Sequence, residues 1–581
     1  MDLLNYLIHE NWTVDVIQCN GLLDDFCIAM ASMGLEHTSS NLNKQLVCRA
    51  CKITRNTIQN RRSEAKYHTI DQWKNNIDSE LINDQLNSIT QDNWMLHEFE
   101  GIQIGRLAAV DLIMQYKVNS NHLPDSLWNG YVNQLRICYE TYFCSLAFLN
   151  ELRPDRVLMY NTLFGVNRVV QQISERLEIP CYSIHLGFQS KSDSNALMMY
   201  RDDDEQLRIA HTQEAIASIS KPISPEKIDQ AFKFFDVTLN ALSHTVYSKA
   251  YSKVSPAQTR KKFNLQGDRP ILFIPLASAD ERFALQLLNL QSLSKPAELF
   301  GHQKEWVSFI LGVARDHQEW DFIIRPHPRM FPNHRDRNTA SETFELLDLL
   351  SSATTNVHIN LPSDNVSLPE ILQITDVVLG GTTSAGLEAL AYGIPVVTHN
   401  EALLFAYPAQ IGEFARSDLD YVDKIKSSIN NNWNVNNTLK ALRWMSFLDN
   451  SVSLSITYTN QPIQKSSLFQ PSNNWQIRFL RRFKVFQRLP KFLALVLGGV
   501  LQFRLTQKWI AREFKFTDDA STFIRTLTEE LPGLHSSGEK EPQNQDEELR
   551  AVCRNYEDIL TMLGTFDDPN CLSSRIERFL K

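Results

Sequence analysis

Apolar positions along this chain follow two rhythms. Between residues 271 and 397, short unbroken apolar runs alternate with longer stretches of helical spacing. The pattern predicts strands at 271–274, 321–324, 357–359, 377–379 and 395–397, with helices at 305–317, 344–350, 368–374 and 384–392. Unbroken apolar runs mark strands buried on both faces, so a doubly wound parallel sheet is expected. Upstream, a run at 157–160, a helix through Val169, Val170 and Leu177, and a run at 181–184 predict another βαβ unit. A helix over 130–152 precedes it, with Tyr131, Leu135, Tyr139 and Tyr142 at helical spacing.

The start of the chain departs from this scheme. Residues 3–9 read as a helix and 13–17 as a strand, whereas a Rossmann-like half opens with its strand. Either the first strand lies outside this sequence or another segment takes its place. An amphipathic helix over 222–248 and a polar connector over 255–268 suit an interdomain hinge. Three parts are therefore expected: 1–250, 265–440 and a helical extension over 441–581.

With 581 residues, 43% of them apolar, the chain needs more than one core and has the composition to fill them. Its net charge of −9 gives no reason to expect a nucleic-acid partner. The charge is unevenly placed. Residues 476–515 hold ten Lys or Arg against one acid, and 517–581 hold fourteen acids against seven bases. Phe479, Phe483, Phe486 and Leu489 lie among the bases, which suits a helix on an anionic membrane surface, or helices packed with a solvated basic face. No apolar run reaches the roughly eighteen residues of a membrane span. Nine cysteines and the absence of a secretory segment fit a reducing cytosol, so the expected location is cytoplasmic, with attachment to the inner membrane face as an extension of that reading.

Two stretches carry chemistry. Arg325-Pro326-His327-Pro328-Arg329 follows a predicted strand, and its prolines fix the backbone on both sides of the imidazole. That His is suited to bind a phosphate oxygen or to protonate a leaving phosphate. Gly380-Gly381-Thr382-Thr383-Ser384 follows another strand and opens a helix, bringing hydroxyls and free N–H groups to an anion, with Glu388 one turn on. Each has a plainer interpretation, a rigid surface turn for the first and an ordinary N-cap for the second. Ser278 to Glu281 after 271–275, and Asn161 after 157–160, are further polar groups at strand ends. Cys48 and Cys51 with Cys19 and Cys27 are too loosely spaced for a zinc site, and Asp202 to Asp204 read as a solvated loop, so no metal is expected.

These motifs, together with Gly386-Leu-Glu-Ala-Leu-Ala-Tyr-Gly-Ile-Pro-Val-Val397 and Pro154-Asp155-Arg156, resemble capsule polysaccharide biosynthesis glycosyltransferases of the GT-B fold, over roughly residues 10–430. The resemblance implies an α/β chain with two Rossmann-like doubly wound halves facing a cleft. The first half would take the acceptor and the second the nucleotide donor. In wider relatives that use cytidine donors, the His-Pro pair contacts the nucleotide and the Ser/Thr pair holds the phosphate. Carried over, His327 and Pro328 take the first role, Thr383 and Ser384 the second, and Glu388 the ribose. Arg325, Arg329, Ser278, Gly381 and Thr382 join the donor side, and Asn161 and His185 the acceptor side. Sialyltransferases among these relatives carry two acids followed by Gly. Here Glu98-Phe99-Glu100-Gly101 splits them, and Glu98 or Glu100 is nominated as the base. The implied activity is transfer of a sugar or polyol phosphate from a CMP- or CDP-linked donor to a surface glycan or lipid-linked acceptor, with no cofactor beyond the donor. Three alternatives stay open: a UDP-sugar transferase, a nucleotide-sugar epimerase, and an inert scaffold of capsule assembly.

Overall fold

The computed structural model describes residues 4, 7–8, 11–23, 25–61, 64–186, 196–201, 213–241, 249–265, 267–290, 299–333, 338–381, 383–399, 407–451, 453–458, 514–516 and 544–581. Asp202 to Asp204, Thr382 and the basic segment up to residue 513 lie outside them.

Two parallel strands lie in the first part of the chain. β1 (Asp15–Gln18) runs along β2 (Lys66–Thr69), in a sheet of its own. The helices that follow include α1 (Ile104–Tyr116), α2 (Asp125–Leu152) and, after β3 (Val157–Tyr160), α3 (Gly165–Arg176). β3 and β4 (Cys181–Leu186) pair in parallel, as their apolar runs predict. Beyond β4 the expectation of a doubly wound first half fails. β5 (Ala196–Tyr200) returns antiparallel to β4, so no crossover helix extends the sheet. Its far neighbour is supplied from much later in the chain. The amphipathic segment near 222–248 is helical over α4 (Pro225–Leu239), and the connector contains a short helix, Pro256–Lys262, started by a Ser255/Gln258 capping box.

The second half follows its pattern closely. β6 (Ile271–Pro275), β7 (Asp321–Arg325), β8 (Val357–Ile359), β9 (Val377–Gly380), β10 (Val396–Thr398) and β11 (Glu413–Phe414) form one all-parallel sheet, ordered β11-β10-β9-β6-β7-β8. Counted along the chain this is 3-2-1-4-5-6, the strand order of dinucleotide-binding sheets, which reverses between β6 and β9. Helices α5 (Ala279–Leu287), α6 (Gln303–Asp316) and α7 (Ala385–Ala391) connect its strands. β6, β7, β9 and β10 are buried throughout, which explains their unbroken apolar runs.

Described residues beyond 441 are part of the core rather than an appendage to it. α8 (Val435–Ser451) leads into β12 (Ser453–Tyr458), which pairs antiparallel with β5 and carries β13 (Phe514–Phe516) on its other side. α9 (Gln545–Leu563) and α10 (Leu572–Leu580) put Ala551, Val552, Tyr556, Ile559, Leu572 and Ile576 into the same apolar cluster as β6 and β9. Two buried ion pairs fix their register. Glu548 accepts from Arg443 at 2.8 Å and from the Ile223 amide at 3.0 Å. Arg575 pairs with Asp376, just before β9, and Asp376 also accepts from the Ile271 amide and from Asn432, each at 2.8 Å. Among the described residues no helix is long and apolar enough to cross a membrane.

Removing one partner of a buried pair leaves an uncompensated charge, at a cost of about 3–5 kcal/mol. Arg575→Met is therefore expected to lower the urea unfolding free energy by about 3 kcal/mol or more. A loss under about 1 kcal/mol would show that Asp376 does not depend on this guanidinium.

Candidate functional site

The carboxyl edge of the six-stranded sheet gathers the loops that the motifs mark. Residues 276–278 leave β6, 326–331 leave β7, 381, 383 and 384 leave β9, and His399 follows β10. The loops after β7 and β9 therefore flank β6 on either side of the point where strand order reverses.

His327 is half-buried and starts a single 3-10 turn, Pro328–Met330. Its Nδ1 accepts the Arg329 amide at 3.2 Å, so the neutral ring carries its proton on Nε2. Arg325 is buried at the end of β7 and donates to the Val366 carbonyl at 3.3 Å. Burial lowers its pKa to about 10, with the charges of Glu388 and Glu370 acting against that shift, so the guanidinium stays protonated at neutral pH. Glu388 thus shares a local field with Arg325, across the strand between them.

The loop after β9 is closely packed from below. A Cβ on Gly381 would lie 3.1 Å from the Trp306 ring, and one on Gly386 would lie 2.6 Å from the Tyr407 hydroxyl. Thr383 Oγ1 accepts from the Ala385 amide at 3.4 Å, while Ser384 makes no side-chain cap. α7 spans only seven residues, so a helix dipole contributes less here than the sequence pattern implied.

Several expected ligands are taken up by the protein itself. The Ser278 hydroxyl donates to the buried Asp280 carboxylate. Arg329 donates to Asp280 through Nε at 3.2 Å and Nη2 at 2.7 Å, lies 3.5 Å from Glu281, and reaches the Met114 carbonyl at 2.6 Å. A buried carboxylate requires such a partner, which is the physical reason these two residues face inward. Glu98 and Glu100 are exposed, Glu100 pairs with Arg176 at 3.7 Å, and Phe99 between them packs on Tyr139 and Tyr142. They are the solvated face of a turn. Asn161 is left-handed (φ 53°) and its carboxamide oxygen accepts from Leu163 at 3.0 Å, closing the turn after β3. His185 lies between Tyr160 and Tyr200, with ring centroids 6.3 and 6.4 Å away.

The two halves meet directly beside these loops. The apolar side of α5 (Phe283, Ala284, Leu285, Leu287) belongs to the core of α1 and α2. The chain after His327 caps the end of α1: Asn338 donates to the Gln115 carbonyl and the Ser341 amide to the Lys117 carbonyl, both at 3.0 Å. Lys117, itself buried, returns its ammonium to the Asn338 carbonyl at 2.6 Å.

On α1, one turn before Met114, stands an acid that the motif reading passed over. Asp111 is half-buried, and desolvation raises its pKa to about 7, with only the Gly165 amide acting the other way. Gly165 starts α3, directly after the β3 carboxyl end, and a Cβ there would strike the Leu107 carbonyl. The sequence signal was a single acid in the apolar helix Leu107-Ala-Ala-Val-Asp111-Leu-Ile.

No family model and no curated protein matches the chain. Solved structures that it matches include a KpsC beta-Kdo 2,4 transferase from Thermosulfurimonas dismutans, 11% identical over 46% of this chain and 78% of that one, with a TM-score of 0.27. UDP-GlcNAc 2-epimerases from Neisseria meningitidis and Methanocaldococcus jannaschii are each 13% identical, over 58% and 67% of this chain and 94% of each of theirs, with TM-scores of 0.25 and 0.24. At these scores the likenesses carry no weight in assigning a function.

The packing under the β9 loop is testable by a double-mutant cycle. Gly386→Ala should cost about 1–3 kcal/mol through overpacking. Tyr407→Phe should cost less than about 0.5 kcal/mol, because its buried hydroxyl has no hydrogen-bond partner to lose. The double variant should recover part of the Gly386→Ala loss, whereas strict additivity in urea unfolding would place the clash elsewhere.

Proposed function

We propose that the chain is a glycosyltransferase of GT-B architecture, moving a sugar or polyol phosphate from a nucleotide-activated donor onto a surface glycan or lipid-linked acceptor. The observation that carries this reading is the position of the His327 and Thr383 loops on either side of β6, at the reversal of a 3-2-1-4-5-6 sheet. Open sheets of this kind bind ligands outside their carboxyl ends at that point. Two inter-strand spacings, roughly 10 Å, separate the loops, a span that suits a nucleotide's phosphates and ribose.

In this reading the acceptor oxygen attacks the reacting carbon of the donor, or its phosphorus where a polyol phosphate moves. The bond to the leaving phosphate breaks and its electron pair goes to that phosphate. His327 Nε2–H, the Thr383 and Ser384 groups and the buried charge of Arg325 stabilise the departing anion. Glu388 holds ribose hydroxyls. Asp111 takes the acceptor proton in place of Glu98 or Glu100, because its raised pKa matches a base working near neutrality and α1 is capped by the His327 loop. The preference for a cytidine donor rests on the His327-Pro328 likeness alone.

Calorimetry with CMP, CDP and UDP tests the donor half. A cytidine nucleotide should bind, His327→Ala should weaken it about tenfold or more, and preference for UDP would remove the cytidine assignment. Failure of all three to bind would overturn the transferase reading, and product formed without acceptor would indicate an epimerase.

The base assignment predicts a pH limb. Asp111 must be ionised to accept a proton, so kcat/KM should climb as pH rises and level off above about 7. Asp111→Asn should reduce kcat about a hundredfold or more with nucleotide affinity unchanged. Because the folded pKa is raised, ionisation costs stability as pH rises from the ordinary carboxyl range through 7, so this variant should be no less stable than wild type at pH 8. Retained kcat in Asp111→Asn would place the base on another residue.

A further inference from the structure

His399 directly follows β10, at the carboxyl edge one strand beyond β9. Its side chain is almost fully enclosed, the residue being 5% exposed. Aromatic rings wall it: Trp306 at 4.8 Å between centroids, Phe300 at 5.1 Å edge-on and Tyr421 at 6.4 Å. Both imidazole nitrogens are buried with no hydrogen-bond partner among the described residues. Within the cage the Trp306 N–H is given to the Tyr421 hydroxyl at 3.2 Å. An unmet buried polar atom is unfavourable, and this ring has two. Phe at this position would pack the cage without that penalty.

The placement connects this ring to the candidate site. Trp306, which covers one side of the imidazole, also lies against Gly381 of the β9 loop. Arg282, on α5 after β6, is the charge that acts on the ring. His399 is thus joined through Trp306 to the β9 loop and through the Arg282 charge to the helix after β6.

We propose that His399 is a recognition residue for an uncharged hydroxyl of the donor, on its ribose or on the transferred group. This rests on the nucleotide-donor reading above. A neutral imidazole carries one donor and one acceptor, and a hydroxyl answers both, whereas a phosphate oxygen only accepts. Burial and the Arg282 charge hold the ring's pKa at about 3, so it stays neutral wherever the enzyme would work. Both nitrogens are closed to solvent, so the cage parts as the donor enters.

The test compares stability with affinity in His399→Phe and His399→Gln, using whichever of CMP, CDP or UDP binds wild type and the corresponding nucleotide-linked glucose or glycerol. His399→Phe should unfold at the same or a higher urea concentration than wild type, yet bind at least tenfold more weakly. His399→Gln, which keeps a donor and an acceptor, should retain most of the affinity. Weaker binding of the free nucleotide assigns the hydroxyl to ribose, and weakening confined to the nucleotide-linked compound assigns it to the transferred group. Wild-type affinity for both in His399→Phe would reduce His399 to packing, and so would earlier unfolding with unchanged affinity. If wild type binds no nucleotide, the transferase reading fails first and this ligand falls with it.

Discussion

The buried carboxylate of Asp376 holds the second half together. It stands at the amino end of β9 and accepts from the first amide of β6, from Asn432 and from Arg575 of the last helix. A charge in that position is tolerable because both its oxygens are hydrogen-bonded and one is paired with a guanidinium. Strands β6 and β9 are thereby aligned at one end by a polar knot that includes the C-terminal residues of the chain. With the amino end closed, the opposite end is left for loops. Those loops leave adjacent strands with different lengths and converge where the strand order reverses.

At that carboxyl end, polar groups divide by whether the protein satisfies them. Ser278, Asp280 and Arg329 answer one another, and Arg329 spends its remaining reach on the end of α1. His327 gives Nδ1 to its own turn, and neither nitrogen of His399 has a partner among the described residues. Satisfied groups fix geometry and contribute a modest net energy, whereas unmet ones carry a cost that a ligand can relieve. The first set therefore forms the frame of the site, and His399 is where a donor has most to contribute.

How much of this was legible in the sequence follows from the range of the interactions concerned. The alternation of β6 to β10 with their helices was plain, because strands buried on both faces must be continuously apolar and their crossovers are local. The first half was misjudged because β5 is paired by β12, more than two hundred residues away, and no local pattern records such a partner. The same limit explains Arg329 and Ser278. A polar residue at a strand end reads alike whether its partner is a phosphate or Asp280. Asp111 was hidden for the opposite reason. Its neighbours are apolar, so it lacks any motif, yet that apolar setting is what desolvates it and raises its pKa. A lone acid within an apolar helix was the available signal, and it is informative only once the helix is known to border the site.

The contact between the halves bears on how a donor and an acceptor would be brought into register. Separate domains that meet through small polar surfaces are expected to move against each other. Here α5, which follows the first strand of the second sheet, buries its apolar side in the core of the first half. The chain after His327 meanwhile supplies the missing hydrogen bonds to the end of α1, and Lys117 closes the exchange. Opening the halves at this point would expose apolar side chains and uncap a helix, both unfavourable. The spacing between the His327 loop and the helix bearing Asp111 is therefore set by folding and not by ligand-driven closure. Any motion that admits substrates is then confined to the loops and side chains around that fixed pair, such as the aromatic cage of His399.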